Sequence, residues 1–322
     1  MNKNNLTSSR SFLTGIIDYA GLFPPANLHL KEAFENYLLY SKSTDSFMLS
    51  RFICPVKLFK ELGKLSVNSE SEIYLSVLGR GGYNINDFNE NLSEDIIMWK
   101  EFVKNTNNRF ITDAFEIKLP DELITEHKSG KVSEFIDIIS QKIRSEFEHP
   151  VFMFFEGHIG SEWQKNVKCL IEGINIHNKN NNDSGFKLRT GGVETYSFPE
   201  PGQIAFSIRE CLDNAIRMKC TAGLHHPFRH FDKNIGTKMH GFVNVFGAGV
   251  IAMRHNISDY GLKEILSDEN PDNFVFTDEY FSWKDWKINI DEINLARKDL
   301  MISFGSCSFD EPVEDLKNLN LL

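Results

Sequence analysis

The chain has 322 residues, of which 41% are hydrophobic and 25% are charged, an ordinary balance for a globular protein. Its formal net charge of −10 argues against general affinity for nucleic acid and for anionic membrane surfaces. No apolar run is long enough to span a bilayer, and the polar N-terminal residues lack the apolar core of a signal peptide. The five cysteines are scattered, with no C-x-x-C pair, as is typical of a reducing compartment. We therefore expect a cytoplasmic protein, and its oligomeric state stays open, a homo-oligomer included.

Short apolar strands alternate with amphipathic helices along most of the chain. Strands are predicted at 15–23, 51–55, 73–79, 114–119, 151–158, 185–189, 218–222 and 241–249. Apolar residues at helical spacing predict helices near 30–38, 96–103, 132–143, 163–174, 204–215 and 262–266. Such alternation favours a parallel sheet with crossover helices, and eight units that close on themselves make a (β/α)8 barrel.

The predicted architecture is therefore an α/β protein, a TIM-type barrel over residues 10–270. Residues 271–322 are too apolar for a free tail, so we expect a C-terminal extension packed on the barrel. An open doubly wound sheet is the alternative, and the lack of a G-x-G-x-x-G after the first strand argues against it.

Polar side chains recur on one face of the predicted strands, while the other face is apolar. In the fourth strand, Phe115 and Ile117 alternate with Glu116 and Lys118. Ligands bind at the carboxyl ends of barrel strands, so the polar residues predict a ligand site there. The structural alternative is a buried lattice in which these charges only pair with one another.

Two lysines on neighbouring strands, Lys187 and Lys219, form the sharpest pair. Adjacent strands lie about 4.8 Å apart, so the two amines can approach closely. A second cation depresses the pKa of a lysine, and a neutral amine can form a Schiff base with a carbonyl group. Alternatively, both lysines bind an anion together with Arg189.

The two lysine segments resemble a known enzyme family. Lys187-x-x-Thr-Gly191 and Lys219-x-x-Ala-Gly223 are similar to the paired lysine motifs of class I aldolases of the deoxyribose-phosphate type, which also lie on the sixth and seventh strands of a barrel. This resemblance implies Schiff-base chemistry. The chain departs from that family at Arg189 and at the His-His-Pro segment ending at Pro227.

A second resemblance spans nearly the whole chain. The segments DYAGLFPPA at 18–26, KLRTGG at 187–192, TAGLHHP at 221–227 and FGSCSF at 304–309 are similar to the signature segments of an uncharacterised bacterial family of (β/α)8-barrel type. This likeness implies the fold and no particular activity.

The leading hypothesis is a lyase or isomerase of aldolase type that acts on a small anionic carbonyl compound without a cofactor. Lys187 or Lys219 would be the nucleophile, and Glu156 or Glu116 the general base. Gly247 and Gly249 follow the predicted eighth strand, where barrels often bind phosphate. The predicted substrate-binding residues are Asp18, Lys118, His158, Arg189, Thr221, His225, His226, Asn244, Gly247 and Gly249.

Two other functions stay open. His158, Glu156, His225 and His226 could hold a metal ion in a metal-dependent hydrolase or lyase. A non-catalytic protein that binds a small anion would use the same cationic residues. Cys220 and Cys307 are expected to be buried packing residues, because the sequence shows no activating partner at a fixed spacing.

Overall fold

The computed structural model describes residues 6–65, 72–107, 109–157 and 160–322. Its strands are β1 (Ile17–Tyr19), β2 (Leu49–Pro55), β3 (Ile73–Leu78), β4 (Phe110–Lys118), β5 (Phe152–Glu156), β6 (Ser184–Arg189), β7 (Met218–Thr221), β8 (His230–Asp232), β9 (Thr237–Met239), β10 (Phe274–Phe276), β11 (Tyr280–Trp283), β12 (Trp286–Asn289) and β13 (Met301–Ser306). Eight of them form a closed barrel in the order β1-β13-β7-β6-β5-β4-β3-β2, and every pairing in it is parallel.

Helices surround this barrel. They are α1 (Thr7–Leu13), α2 (Leu30–Tyr40), α3 (Phe59–Leu62), α4 (Ile85–Asn105), α5 (Asp121–Thr125), α6 (Ser129–Glu146), α7 (Trp163–Asn178), α8 (Pro201–Asp213), α9 (Phe242–Arg254), α10 (Asp259–Ser267), α11 (Ile290–Asp299) and α12 (Asp310–Asn318). Of the helices in the described ranges, none has the length and apolar character needed to cross a membrane.

Strand parity separates the two faces of the barrel as the sequence predicts. Phe115, Ile117, Phe186 and Leu188 belong to the buried apolar core. Side chains of the opposite parity point inward, and the large buried rings of the outer face pack against the surrounding helices, as in other TIM-type barrels. The predicted fold class is thus confirmed.

The eighth strand was predicted at the wrong place. Residues 242–254 form helix α9, whose residues Phe242 to Ala252 are all buried. Because the segment is apolar on all sides, it carries neither a strand nor a helix periodicity, and a buried helix looks like a buried strand in the sequence. The barrel is closed instead by β13, which pairs with β7 on one side and β1 on the other.

The C-terminal segment therefore has two parts. Strands β10, β11 and β12 form a small antiparallel sheet outside the barrel, and this sheet is the appendage. The barrel strand β13 follows it and also lies within the predicted extension of residues 271–322. Helix α1 packs on this sheet, since the ring of Phe12 contacts those of Phe276 and Phe281.

Candidate active site at the mouth of the barrel

A cavity of about 340 Å³ opens at the carboxyl ends of the barrel strands. Its size falls within the usual range for small-molecule sites. Residues from several strand ends and loops line it, among them Glu116, Lys187, Arg189, Thr221, His225 and Cys307. The structure therefore gathers many of the predicted polar residues at one mouth.

The two predicted lysines lie opposite each other in the β6–β7 pairing, and a carboxylate separates their amines. Lys219 donates a hydrogen bond to Glu116 Oε1, and Lys187 Nζ lies 3.0 Å from Glu116 Oε2. Glu116 is 1% exposed, so both ion pairs are screened from water. The lysine pair is thus a lysine–glutamate–lysine group.

Lys219 lies buried beneath the cavity, where its amine also bonds a second acid. Its Nζ donates to Asp18 Oδ2 at 2.7 Å, and Ser303 donates to the same oxygen at 2.5 Å. Ser76 donates to Glu116 Oε1 at 2.5 Å. Both Asp18 and Lys219 are at most 1% exposed, and neither is among the residues that line the cavity.

Lys187, in contrast, reaches the cavity wall between two acids. Its Nζ lies 3.1 Å from Glu156 Oε2, in addition to its ion pair with Glu116. Glu156 also accepts a hydrogen bond from Arg189 Nε at 2.9 Å. The Arg189 side chain is 48% exposed, so its cationic group marks the outer end of this charge network.

The carboxylates decide the protonation state of Lys187. Burial alone would lower its pKa, but the charges of Glu116 and Glu156 outweigh burial and raise the pKa above its ordinary value. Burial alone would likewise raise the pKa of Glu116, but Lys219 and Lys187 hold it below the usual range. The expected depression of the lysine pKa by a neighbouring amine is wrong for Lys187, because the acid between the lysines reverses the local charge.

Three polar residues of this network were not predicted from the sequence. Ser76 and Ser303 donate to the buried acids, and the backbone N–H of Arg51 donates to Asp18 Oδ1 at 3.0 Å. The Arg51 guanidinium pairs with Asp113 at 2.6 Å. Arg51 begins a predicted strand, so the alternation of side chains along that strand could have indicated which face Arg51 lies on. No such indication existed for Ser303, because its segment was not recognised as a barrel strand.

His225 and Cys307 form a smaller polar group on the same cavity wall. Cys307 Sγ lies 3.9 Å from His225 Nδ1, and Glu311 Oε2 lies 3.4 Å from that nitrogen. Burial alone would lower the pKa of His225, but the hydrogen bonds to Cys307 and Glu311 raise it to about 9. The raised pKa favours the protonated form of His225 at neutral pH. In the neighbouring residue His226, Nδ1 lies 2.5 Å from Asp315 Oδ2.

Several predicted site residues lie elsewhere. Lys118 is half exposed and pairs with Asp121 at 3.0 Å, at the rim beside Glu156. Asn244, Gly247 and Gly249 belong to α9 and not to a strand end, so the predicted phosphate loop does not exist. The Asn244 amide instead bonds backbone carbonyls of residues 265 and 268. His158 lies outside the described residues.

Of the predicted metal ligands, the three within the described residues, Glu156, His225 and His226, are not gathered into a site. Across the described ranges, no three or more His, Cys, Asp or Glu side chains are placed to hold a metal ion. Glu156 is engaged by Lys187 and Arg189, while His225 and His226 face acids near the C-terminus. A metal ion would have to displace these ion pairs.

One polar atom in the cavity has no hydrogen bond. Glu116 Oε2 is buried and accepts none, although the ammonium of Lys187 lies 3.0 Å away. A buried carboxylate oxygen usually accepts at least one well-directed hydrogen bond. Glu116 lines the cavity, so this oxygen lies close to a molecule bound there.

Comparison with known proteins finds no match. The chain matches no protein-family model, and no curated protein matches it significantly.

Proposed function

We propose that the mouth of the barrel is the active site of an aldolase-type lyase that acts on a small anionic carbonyl compound through a Schiff base on Lys187. The position of Lys187 carries this proposal: it is a buried amine on the wall of a ligand-sized cavity, held between two carboxylates. Lys219 is less suited to attack, because Asp18 and Glu116 enclose its amine beneath the cavity.

Proton transfer is the first step that this site must perform. The raised pKa keeps Lys187 protonated at rest, and only the neutral amine attacks a carbonyl carbon. Glu116 Oε2 and Glu156 Oε2, at 3.0 and 3.1 Å, are the nearest bases. The shifted pKa values of Lys187 and of both acids oppose this transfer at rest, so the arriving carbonyl compound must weaken the ion pairs before an acid takes the proton. The water that leaves on imine formation consumes that proton again.

The same electrostatics favour the intermediate. A protonated imine on Lys187 carries the positive charge that the ammonium carried, at the same place between Glu116 and Glu156. Preorganised charges that match an intermediate lower the barrier to forming it. The iminium then withdraws the electron pair released when the neighbouring carbon–carbon bond breaks, while Glu116 or Glu156 takes the proton of the hydroxyl group on the departing carbon, which becomes a carbonyl group.

The anionic part of the substrate would bind toward the cavity entrance. Arg189 and His225 both line the cavity, and the raised pKa of His225 favours its protonated form at neutral pH. Arg189 keeps a half-exposed side chain, whereas the amines of Lys187 and Lys219 are occupied by acids. The aldolase resemblance fits the lysines on the sixth and seventh strands, but it does not account for Arg189 or His225.

Reductive trapping tests this proposal. The protein is incubated with a panel of small anionic hydroxyaldehydes and keto acids, treated with borohydride, and weighed intact by mass spectrometry. We expect a stoichiometric mass increase for at least one compound, and its loss in Lys187→Met. Lys118→Met is the matched control, because Lys118 is an exposed lysine outside the network, and it should trap normally.

Other outcomes separate the alternatives. Compounds that raise the thermal midpoint without ever giving an adduct would indicate a non-catalytic anion-binding protein. An adduct of equal yield in Lys187→Met would contradict the role given to Lys187.

A further inference from the structure

Cys307 differs from the other cysteines in position. It follows directly after β13, at the carboxyl end of the barrel strand, and lines the same cavity as Lys187. All five cysteines are buried, but the other four lie within strands or helices. Burial raises the pKa of the Cys169 thiol to about 11 and that of Cys220 to about 12, so these thiols stay protonated at neutral pH.

The sulfur of Cys307 has a cationic neighbour. His225 Nδ1 lies 3.9 Å from Sγ, and the carboxylate of Glu311 lies 3.4 Å from the same nitrogen. A histidine beside a sulfur can form an ion pair with the thiolate, which is the nucleophilic form of cysteine. Glu311 is an acidic partner on the other side of this histidine nitrogen. Cys307 is buried, as the sequence predicts, but its contact with His225 was not predicted, because His225 is 82 positions away.

The cavity around this pair can receive a polar carbonyl compound. The Lys187 ammonium and the Arg189 guanidinium are donors for a carbonyl oxygen. Glu116 Oε2 is buried beside the Lys187 ammonium and accepts no well-directed hydrogen bond. This oxygen is an observation independent of the cysteine, and it points to a ligand in the same cavity.

We propose that Cys307 and His225 form a second nucleophilic group, which adds to α,β-unsaturated carbonyl compounds that enter the cavity. The thiolate sulfur forms a bond to the β-carbon, and the π electrons of the double bond move to the α-carbon. His225 then gives its proton to that carbon, which leaves a saturated thioether and a neutral imidazole. No oxidant or second reactant is required, and the step uses a different atom from the Schiff base on Lys187.

Site-resolved alkylation of the native full-length protein tests this inference. Acrylamide is a suitable probe, since it has a conjugated carbonyl and an N–H donor. Peptide mass spectrometry at pH 7 follows all five cysteines over time. We expect Cys307 to react at least about tenfold faster than any other cysteine, and His225→Gln to slow it by about tenfold. His255→Gln is the control, because His255 contacts the carbonyl of Lys287 and does not line the cavity.

Folding and the Schiff-base proposal are controlled separately. Circular dichroism shows whether His225→Gln is folded, and labelling in urea should reach all five cysteines equally in every variant. In Lys187→Met the alkylation of Cys307 should persist. The cysteine proposal can therefore be tested even if the Schiff-base proposal fails. Equal rates at the five cysteines of the native protein, or an unchanged rate in folded His225→Gln, would overturn the inference.

Discussion

Lys219 is a buried cation whose two partners are buried acids. It bonds Asp18 and Glu116, and all three residues are at most 1% exposed. Removal of one member of such a group leaves uncompensated charge in the interior. We predict that Lys219→Met lowers the free energy of unfolding by about 3–5 kcal/mol in urea titrations. The exposed Lys118→Met should change it by less than about 0.5 kcal/mol, and equal effects would contradict the burial argument.

The protonation of Lys187 gives a prediction about pH. Its pKa is raised, so the neutral amine is the minor form at neutral pH and becomes more abundant as pH rises toward the pKa. We predict that the initial rate of borohydride-trapped adduct formation increases steadily from pH 6 to pH 9. A rate that is flat or falls over this interval would indicate that Lys187 is already neutral or does not react.

Single residues show what the sequence could and could not predict about the site. Alternation within a strand is local, so the sequence placed Lys187, Lys219 and Glu116 on one face correctly. The insertion of Glu116 between the lysines depends on how β4 faces β6 and β7 across the barrel interior. No local pattern encodes the distance between Glu116 and the two lysines. The sign of the pKa shift on Lys187 depends on that distance.

At the scale of elements, helix α9 shows where pattern reading fails. Seven barrel strands were predicted correctly because turn residues bound them and alternation marks their faces. Apart from Asn244 and Arg254, the segment of α9 is apolar, so the expected eighth strand was placed there. The strand β13 was therefore not recognised within the predicted extension. Its length of 13 residues was the one available signal, because strands are usually shorter.

Gly241, which caps the start of α9, provides a test of how closely this helix start packs against the preceding loop. A methyl group at Gly241 would collide with the backbone of Pro227 and Phe228, whereas one at Gly202 in α8 would meet nothing within 4 Å. We predict that Gly241→Ala lowers the free energy of unfolding by about 1–3 kcal/mol. Gly202→Ala should raise it by up to about 1 kcal/mol. A neutral Gly241→Ala would mean that α9 begins differently.

At the scale of the whole molecule, the buried acids couple stability to pH. The pKa values of Asp18, Glu116 and Glu156 are lowered, because nearby cations outweigh the effect of burial. In the unfolded chain these carboxylates bind protons near pH 4, whereas in the folded chain they bind them only at lower pH. This stabilisation is therefore complete above about pH 5 and is lost as pH falls. We predict that the urea midpoint drops steeply below about pH 4. An unchanged midpoint between pH 6 and pH 3 would contradict the ionised network.

The central claim is that Lys187, and not Lys219, is the amine that reacts at the mouth of the barrel. The most direct measurement is peptide mapping of the borohydride-reduced adduct by tandem mass spectrometry. We predict that the added mass lies on Lys187, with Lys219 and the exposed lysines unmodified. An adduct on Lys219, or one scattered over surface lysines, would contradict the account.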